Sequence, residues 1–130
     1  MFIDYSWYST LIQPPLKPPA WIFTPIWIIL YISMGIALLY YIRKKTFQNK
    51  HWGYILFTSQ LLVNLSWSPA FFWLKNIELA FVLIILLDIL VLINIILFFK
   101  ISNTAGKILI PYFIWLIFAT YLNFGLLILN

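Results

Sequence analysis

The chain has no cysteine and a single histidine, His51. The missing thiols exclude a disulfide framework, thiolate metal sites and a cysteine nucleophile. One imidazole cannot supply bis-histidine haem ligation or a histidine-rich metal site, and it cannot form a Ser–His–acid set from the edge of an apolar run. We therefore expect no metal site and no conventional hydrolase or metalloenzyme.

Charge is also scarce, at 8% of the 130 residues, against about 25% in soluble domains. Hydrophobic residues make up 65%, so there are too few polar side chains to cover a water-facing surface. The net charge of +5 would suggest nucleic acid as a partner of a soluble protein, but here the basic residues lie in short bridges between apolar runs. The composition predicts an integral membrane protein with the lipid bilayer around it and no nucleic-acid partner.

Four apolar runs reach the length of about 20 residues that a helix needs to cross a membrane. They are Ala20–Ile42, Trp52–Leu74, Leu79–Phe99 and Ile108–Leu129. The runs lack strict alternation and exceed the roughly 9–11 residues of a barrel strand. Because a helix satisfies its own backbone groups in lipid, we predict an all-α transmembrane bundle of four spans in a single domain over residues 1–130.

The basic residues fall on one side of these four spans. Six of them lie in two bridges: Arg43, Lys44, Lys45 and Lys50 in the first, Lys100 and Lys107 in the second. The opposite side has Lys17 and Lys75, together with Asp4 and Glu78. The positive-inside rule therefore predicts a multi-pass protein whose Arg43–Lys50 and Lys100–Lys107 loops are cytoplasmic if it resides in a plasma membrane.

A proline-rich outer loop over residues 7–21 precedes the first span. Pro14, Pro15, Pro18 and Pro19 exclude a helix there and favour a stiff, extended segment. Two interpretations stay open for this loop. It is a rigid interfacial lead-in whose tryptophans join the aromatic belt, or a lid over the mouth of the bundle.

Bulky aromatic, polar and small residues recur at helical spacing in three spans. These stripes are Thr24, Trp27, Tyr31 and Met34; Gln60, Asn64, Trp67, Ser68 and Phe71; and Pro111, Trp115, Ala119 and Asn123. Polar and small side chains in membrane helices normally face other helices, so we expect the stripes to face one another. They indicate either ordinary packing with amides bonded between helices, or an aromatic-walled site for a planar apolar ligand.

Asp88 lies near the middle of the third span, where a carboxylate costs roughly 2.5–3.5 kcal/mol on insertion scales. No Lys, Arg or His lies within a span to pair with it. We expect it to be protonated, or hydrogen-bonded to an Asn, Ser or Tyr of a neighbouring helix. A proton relay normally uses several such groups, so a role in joining helices is the favoured interpretation.

Three motifs in register resemble a known family. They are Trp7-Tyr8, Leu11, Pro14, Pro18-Pro19 and Trp21, continuing through Pro25, Trp27, Tyr31, Met34 and Gly35; Asn64-Leu65-Ser66-Trp67 with Phe71-Phe72; and the run from Pro111-Tyr112 through Trp115 and Phe118-Ala119-Thr120 to Leu122-Asn123. Together they resemble the translocator protein family, also called tryptophan-rich sensory proteins or peripheral-type benzodiazepine receptors.

The resemblance implies a bundle of five helices that binds porphyrins, chiefly protoporphyrin IX, and in some members sterols and benzodiazepine-type ligands. It also implies light- and oxygen-dependent porphyrin degradation in some members, and the two tryptophans tied to it match Trp27 and Trp115. The family's pocket asparagine matches Asn64, and its small pocket residue in the last helix matches Ala119. The family often dimerises, so a homodimer is an expected alternative to a monomer.

The chain departs from the family pattern in four places. The family's first helix would precede Trp7, where only six residues stand, so either that helix is lost or the start of the chain is misassigned or trimmed. A four-helix version would have a pocket that is open on one side or completed by another chain. Leu16 replaces a loop tryptophan and Gln13 replaces a loop lysine. Leu83 stands where the family has an acidic residue in its third helix. Phe124 replaces the tyrosine of the sterol motif, which argues against sterol recognition.

The sequence therefore predicts a membrane porphyrin-binding receptor or sensor that requires no cofactor and takes a tetrapyrrole as its ligand. The expected ligand-binding residues are Trp21, Trp27, Tyr31, Asn64, Trp67, Ala119, Leu122, Lys17, Pro18 and Pro19. We expect the guest to lie between the three tryptophans, Asn64 to hydrogen bond to it, and Lys17 to meet a propionate. The alternatives are enzymatic porphyrin degradation involving Trp27 and Trp115, a transporter or scavenger of tetrapyrroles, and a packing subunit without a ligand.

Overall fold

The computed structural model describes residues 23–130, and this part of the chain is helical with no strand. Its four α-helices are α1 (Phe23–Arg43), α2 (His51–Ser68), α3 (Ile77–Ile101) and α4 (Asn103–Leu129). Three of them, α1, α3 and α4, are long and apolar enough to cross a membrane. The predicted class, a helical membrane bundle, is confirmed. The crossing by the second predicted span stays a prediction, because α2 is shorter and carries two buried amides, Gln60 and Asn64.

Neighbouring helices run antiparallel, and the closest backbone packing joins α1 to α4, α4 to α3, and α3 to α2. Phe98 of α3 fixes one end of the bundle, with ring centroids 4.1 Å from Tyr41 of α1 and 5.9 Å from Phe57 of α2. We call this the Arg43 end and the opposite one the Trp27 end. At the Trp27 end, α1 and α2 meet through long side chains, which hold their backbones apart.

A π-helical stretch, Pro69–Trp73, extends α2 and ends in a backbone hydrogen bond from the Leu74 amide to the Pro69 carbonyl (2.9 Å). Proline has no N–H and its ring crowds the preceding turn, so the chain widens into a π turn here instead of continuing as an α-helix. The predicted span Trp52–Leu74 is thus an α-helix from His51 with a π-helical end, and Leu74 lies just beyond it.

Only Ser102 separates α3 from α4, and α4 begins at Asn103, ahead of the apolar run that starts at Ile108. Ser102 ends α3 by donating its amide to the Phe98 carbonyl (2.7 Å), and its hydroxyl begins α4 by accepting from the Ala105 amide (3.3 Å). A serine at this position is a strong helix N-cap, so a run that resembles a polar loop is the start of a helix. Lys100 and Lys107 therefore lie on helices and not in a loop.

Candidate functional site

Trp27 is the centre of an aromatic cluster at its end of the bundle. Its ring centroid lies 6.2 Å from that of Trp67 on α2 and 6.4 Å from that of Trp115 on α4. Tyr31, one turn along α1, has its ring 6.3 Å away. Trp27 is only 9% exposed, so the indole-bearing faces of three helices turn inward and meet, as the spacing of the stripes predicts.

A chain of hydrogen bonds lies on the Arg43 side of this tryptophan cluster and joins three helices. The Tyr31 hydroxyl donates to Asn64 Oδ1, and Asn64 Nδ2 donates to the Tyr112 hydroxyl (2.7 Å). Tyr112 donates in turn to Gln60 Oε1 (2.8 Å), whose amide contacts the Met34 sulfur at 3.6 Å. Burying a polar group without a partner is costly, so these bonds allow two amides to sit inside an apolar bundle.

Tyr112 is fully buried at the centre of this network; it belongs to the motif of the last span but was not among the predicted site residues. The predicted α4 stripe used Pro111, which is exposed. A step of four residues turns by about 40° more than a full helical turn, so Pro111 and Asn123 end up about 120° apart around α4. The need of Gln60 and Asn64 for a buried partner was the signal that could have identified Tyr112.

Trp67 is held in place by a second set of polar contacts. Its indole N–H donates to Asn123 Oδ1 (3.1 Å), and Asn123 Nδ2 donates to the Ile77 carbonyl (3.4 Å). The Trp67 ring also stacks on Phe71, with centroids 5.2 Å apart and planes 23° apart. Trp67 is therefore a fixed aromatic wall that links α2 to α4 and to the start of α3.

The spacing of the rings limits where a flat guest can lie. A guest sandwiched between two rings needs them about 7 Å apart or more, since contacting carbons lie about 3.5–4.0 Å from each other. Trp27 and Trp67 are closer than that and tilted by 39°. The expected position between the three tryptophans is not open in this conformation. A flat molecule would have to lie against a face of the tryptophan cluster. Asn64 Oδ1 is already bonded to Tyr31.

The remaining predicted ligand-binding residues fall into two groups. Ala119 and Leu122 are buried, at 7% and 5% exposure, but they lie outside the continuous apolar core that contains Trp27 and Tyr112. Trp21, Lys17, Pro18 and Pro19 lie outside the described residues, as does the whole proline-rich loop over residues 7–21. The structure thus brings together Trp27, Tyr31, Asn64, Trp67 and Trp115.

Asp88 joins α3 to α4 through Thr120, whose hydroxyl donates to Asp88 Oδ2 (2.6 Å). Its partner is therefore a threonine and not the expected Asn, Ser or Tyr. Its other oxygen, Oδ1, is buried and accepts no hydrogen bond from residues 23–130. Over the same residues, no group of three His, Cys, Asp or Glu side chains could hold a metal ion.

Comparison of the sequence with known proteins identifies the family of this chain. The sequence profile of the TspO/MBR family matches residues 2–129. The chain belongs to that family. The resemblance drawn from the tryptophan motifs is confirmed, and the tryptophan cluster of this TspO/MBR protein is built from residues within the matched region.

Curated relatives from bacteria and animals agree with the TspO/MBR assignment. The chain is 41% identical over 127 residues to the tryptophan-rich protein TspO of Chlorobaculum tepidum, a match that covers 96% of this chain and 80% of the relative. It is 32% identical to the tryptophan-rich sensory protein of Cereibacter sphaeroides, covering 96% and 77%. It is also 34% identical to the translocator protein of Ovis aries, covering 92% and 72%.

Proposed function

We propose that this TspO/MBR protein binds a porphyrin-type tetrapyrrole against the tryptophan cluster formed by Trp27, Trp67 and Trp115. The observation that carries the proposal is the meeting of these three indoles at one end of the bundle, with the Tyr31–Asn64 pair beside them. Aromatic walls with a few fixed polar groups are typical of sites for flat apolar ligands.

Each residue has a distinct role in this proposal. Trp67 gives a rigid wall because Asn123 and Phe71 fix its ring. Trp27 is in edge contact with Trp115, with planes 85° apart, so the two present an angled apolar surface. The Tyr31 hydroxyl now donates to Asn64, and it can donate to a ring substituent of the guest instead. Trp21, Pro18 and Pro19 close the site and Lys17 meets a propionate, a part of the proposal that rests on the sequence alone.

Titration of the purified protein with protoporphyrin IX tests the proposal. We expect a saturable shift of the porphyrin absorption band, with Trp27→Leu weakening the Kd by roughly tenfold or more, which is about 1.4 kcal/mol. Trp52→Leu is the matched control, because this tryptophan is 59% exposed at the Arg43 end. Equal losses in both variants would place the site elsewhere, and no binding by the unmodified protein would favour a packing subunit without a ligand.

A second candidate function, light-dependent porphyrin degradation, is favoured by the contact between Trp27 and Trp115. Two indoles in contact beside an excited porphyrin are oxidisable partners for it and for the oxygen species that it generates. Illumination of the complex should then bleach the porphyrin to a defined product, and Trp27→Phe and Trp115→Phe should abolish that product. Unchanged bleaching in both variants would leave a passive binder.

Transport or scavenging is the third candidate, in line with the word translocator in the name of the Ovis aries relative. Transport requires vectorial movement, which porphyrin uptake into proteoliposomes would reveal. Proton coupling has little support, because Asp88 is the one acidic residue in the interior of the described helices and it is already bonded to Thr120. Binding without uptake would favour the receptor or sensor.

A further inference from the structure

Positive charge collects at the Arg43 end of the bundle without opposing negative charge. Exposed cationic side chains lie on α1, on the connection to α2, and on the adjoining ends of α3 and α4: Arg43, Lys44, Lys45, Lys100 and Lys107. The acidic residues within residues 23–130 are Glu78, at the Trp27 end, and Asp88, inside the bundle. No carboxylate of the described chain is therefore available to neutralise this end.

Packing places charges from separate helices close together. Tyr41 and Phe98 stack with ring centroids 4.1 Å apart, which brings the ends of α1 and α3 side by side. Arg43 and Lys100 each follow this stacked pair by two residues. The fold thus gathers like charges that repel one another, an arrangement that becomes favourable when an anion binds between them.

The connection over residues 44–50 is tied to the bundle. Tyr41 donates its hydroxyl to the Lys50 carbonyl (2.7 Å), and the Lys50 ammonium donates to the Ile42 carbonyl at the end of α1 (3.0 Å). Within the connection, the backbone N–H of Gln48 donates to the Thr46 hydroxyl (3.1 Å). Lys50 is therefore occupied in capping α1, whereas the Lys44 and Lys45 side chains are exposed.

Phe47 lies in the middle of this connection and has a relative exposure of 110%, the highest among the exposed large hydrophobic residues described. Trp52 is 59% exposed at the start of α2 on the same end. Exposed aromatic rings next to lysines are unfavourable in water but match the membrane interface, where rings lie among the headgroups.

We propose that the Arg43 end is a binding surface for anionic phospholipids, with Lys44, Lys45 and neighbouring cations contacting headgroup phosphates while Phe47 inserts at the level of the upper acyl chains. Clusters of Lys and Arg beside a transmembrane helix attract anionic lipids in this way. A phospholipid is the ligand that fits, because it presents a phosphate and an apolar chain together. Free phosphate would use the lysines and leave Phe47 in water.

The effect of lipid on thermal stability tests this surface without any porphyrin. Protein purified in dodecyl maltoside is heated with dioleoyl phosphatidylglycerol or with the same mole fraction of dioleoyl phosphatidylcholine. We expect the anionic lipid to raise the Tm by roughly 4 °C more than the zwitterionic lipid, as for any ligand of the native state. High salt should reduce this difference because it screens exposed charges.

Matched variants locate the effect. Lys45→Gln should lower the phosphatidylglycerol-specific gain and the double variant K44Q/K45Q should roughly halve it, because each cation near the surface contributes separately. Lys75→Gln, which removes one exposed cation at the Trp27 end, should keep the full gain. Phe47→Ser should reduce the gain while leaving the charge unchanged.

Several outcomes would contradict the proposal of a lipid-binding surface. The two lipids could give the same Tm for the unmodified protein, or K44Q/K45Q could keep the whole gain. Inorganic phosphate could reproduce the gain at the same concentration, which would make the ligand a free anion. A full gain in Phe47→Ser would remove the inserted ring from the proposal. These results do not depend on the tryptophan cluster, so failure here is distinguishable from failure of the porphyrin proposal.

Discussion

The two helix pairs α1–α2 and α3–α4 are held together by different means. Gly106 of α4 lies so close to α3 that an added Cβ would be 2.5 Å from Cγ of Phe99. Gly53 of α2 packs as closely against the Tyr41 ring of α1 at the Arg43 end, but at the Trp27 end α1 and α2 meet through the long side chains of Trp27, Tyr31 and their partners. Close apolar contact leaves no room for a guest. Aromatic and amide bridges leave side chains that can exchange partners, so the ligand proposal belongs to the α1–α2 side.

The largest change in stability is expected from two asparagines of similar burial, one on each side of the bundle. Asn64 makes hydrogen bonds to Tyr31 and Tyr112, whereas Asn94 on α3 makes none with residues 23–130, although it is only 1% exposed. Asn64→Leu should lower the free energy of unfolding by roughly 1–3 kcal/mol, because the half-buried Tyr31 hydroxyl loses its partner and the buried Tyr112 hydroxyl loses one of its two. Asn94→Leu removes an unpaired amide and should leave stability unchanged or higher.

Unfolding of both variants in an SDS titration, followed by circular dichroism, would check this pair. Leucine has the branched shape of asparagine but is larger, and this excess volume is the same in both variants. A loss in Asn94→Leu as large as that in Asn64→Leu would show that both sides of the bundle depend on bonded amides, and the contrast would fail.

An intermediate effect is expected where α3 and α4 touch most closely. Gly106→Ala should cost roughly 1 kcal/mol, because forcing a methyl group against Phe99 outweighs the better helix propensity of alanine. Gly35→Ala on α1 is the control, since its added Cβ would meet nothing within 4 Å. The same SDS titration should show a loss for Gly106→Ala only, and equal behaviour of the two would contradict close packing between α3 and α4.

The smallest change in stability is expected at the hydrogen bond between Thr120 of α4 and Asp88 of α3. Thr120→Val removes the hydroxyl that donates to Asp88 Oδ2 and should cost about 0.6 kcal/mol, the average for such bonds in membranes. Thr58→Val, at an exposed position of α2, should have no measurable effect. If both variants unfold alike, Asp88 contributes nothing to holding α3 against α4.

Much of the fold could be predicted because lipid makes the sequence pattern simple. Long apolar runs must be helices, and bulky or polar residues on one face must avoid the acyl chains. These two arguments identified four helices and the inward tryptophans Trp27, Trp67 and Trp115. The family motifs agreed with the same faces.

The rest depends on contacts between helices, which spacing within one helix does not define. The role of Tyr112 depends on how α2 packs against α4, because its partners Gln60 and Asn64 belong to another helix. The start of α4 at Asn103 depended on a cap by Ser102 within a polar run. The contact between the Trp27 and Trp67 rings, on which the proposed placement of a guest depends, has no signal in the sequence of either helix.

The single residue between α3 and α4 has a mechanical meaning. Ser102 belongs to the last turn of one helix and the first turn of the next through its amide and hydroxyl bonds, so the hairpin cannot open there without breaking both caps. The other connection at this end spans seven residues, 44–50. Widening of the bundle to admit a large guest is therefore expected where α1 and α2 meet through side chains, with the α3–α4 hairpin as the stationary frame.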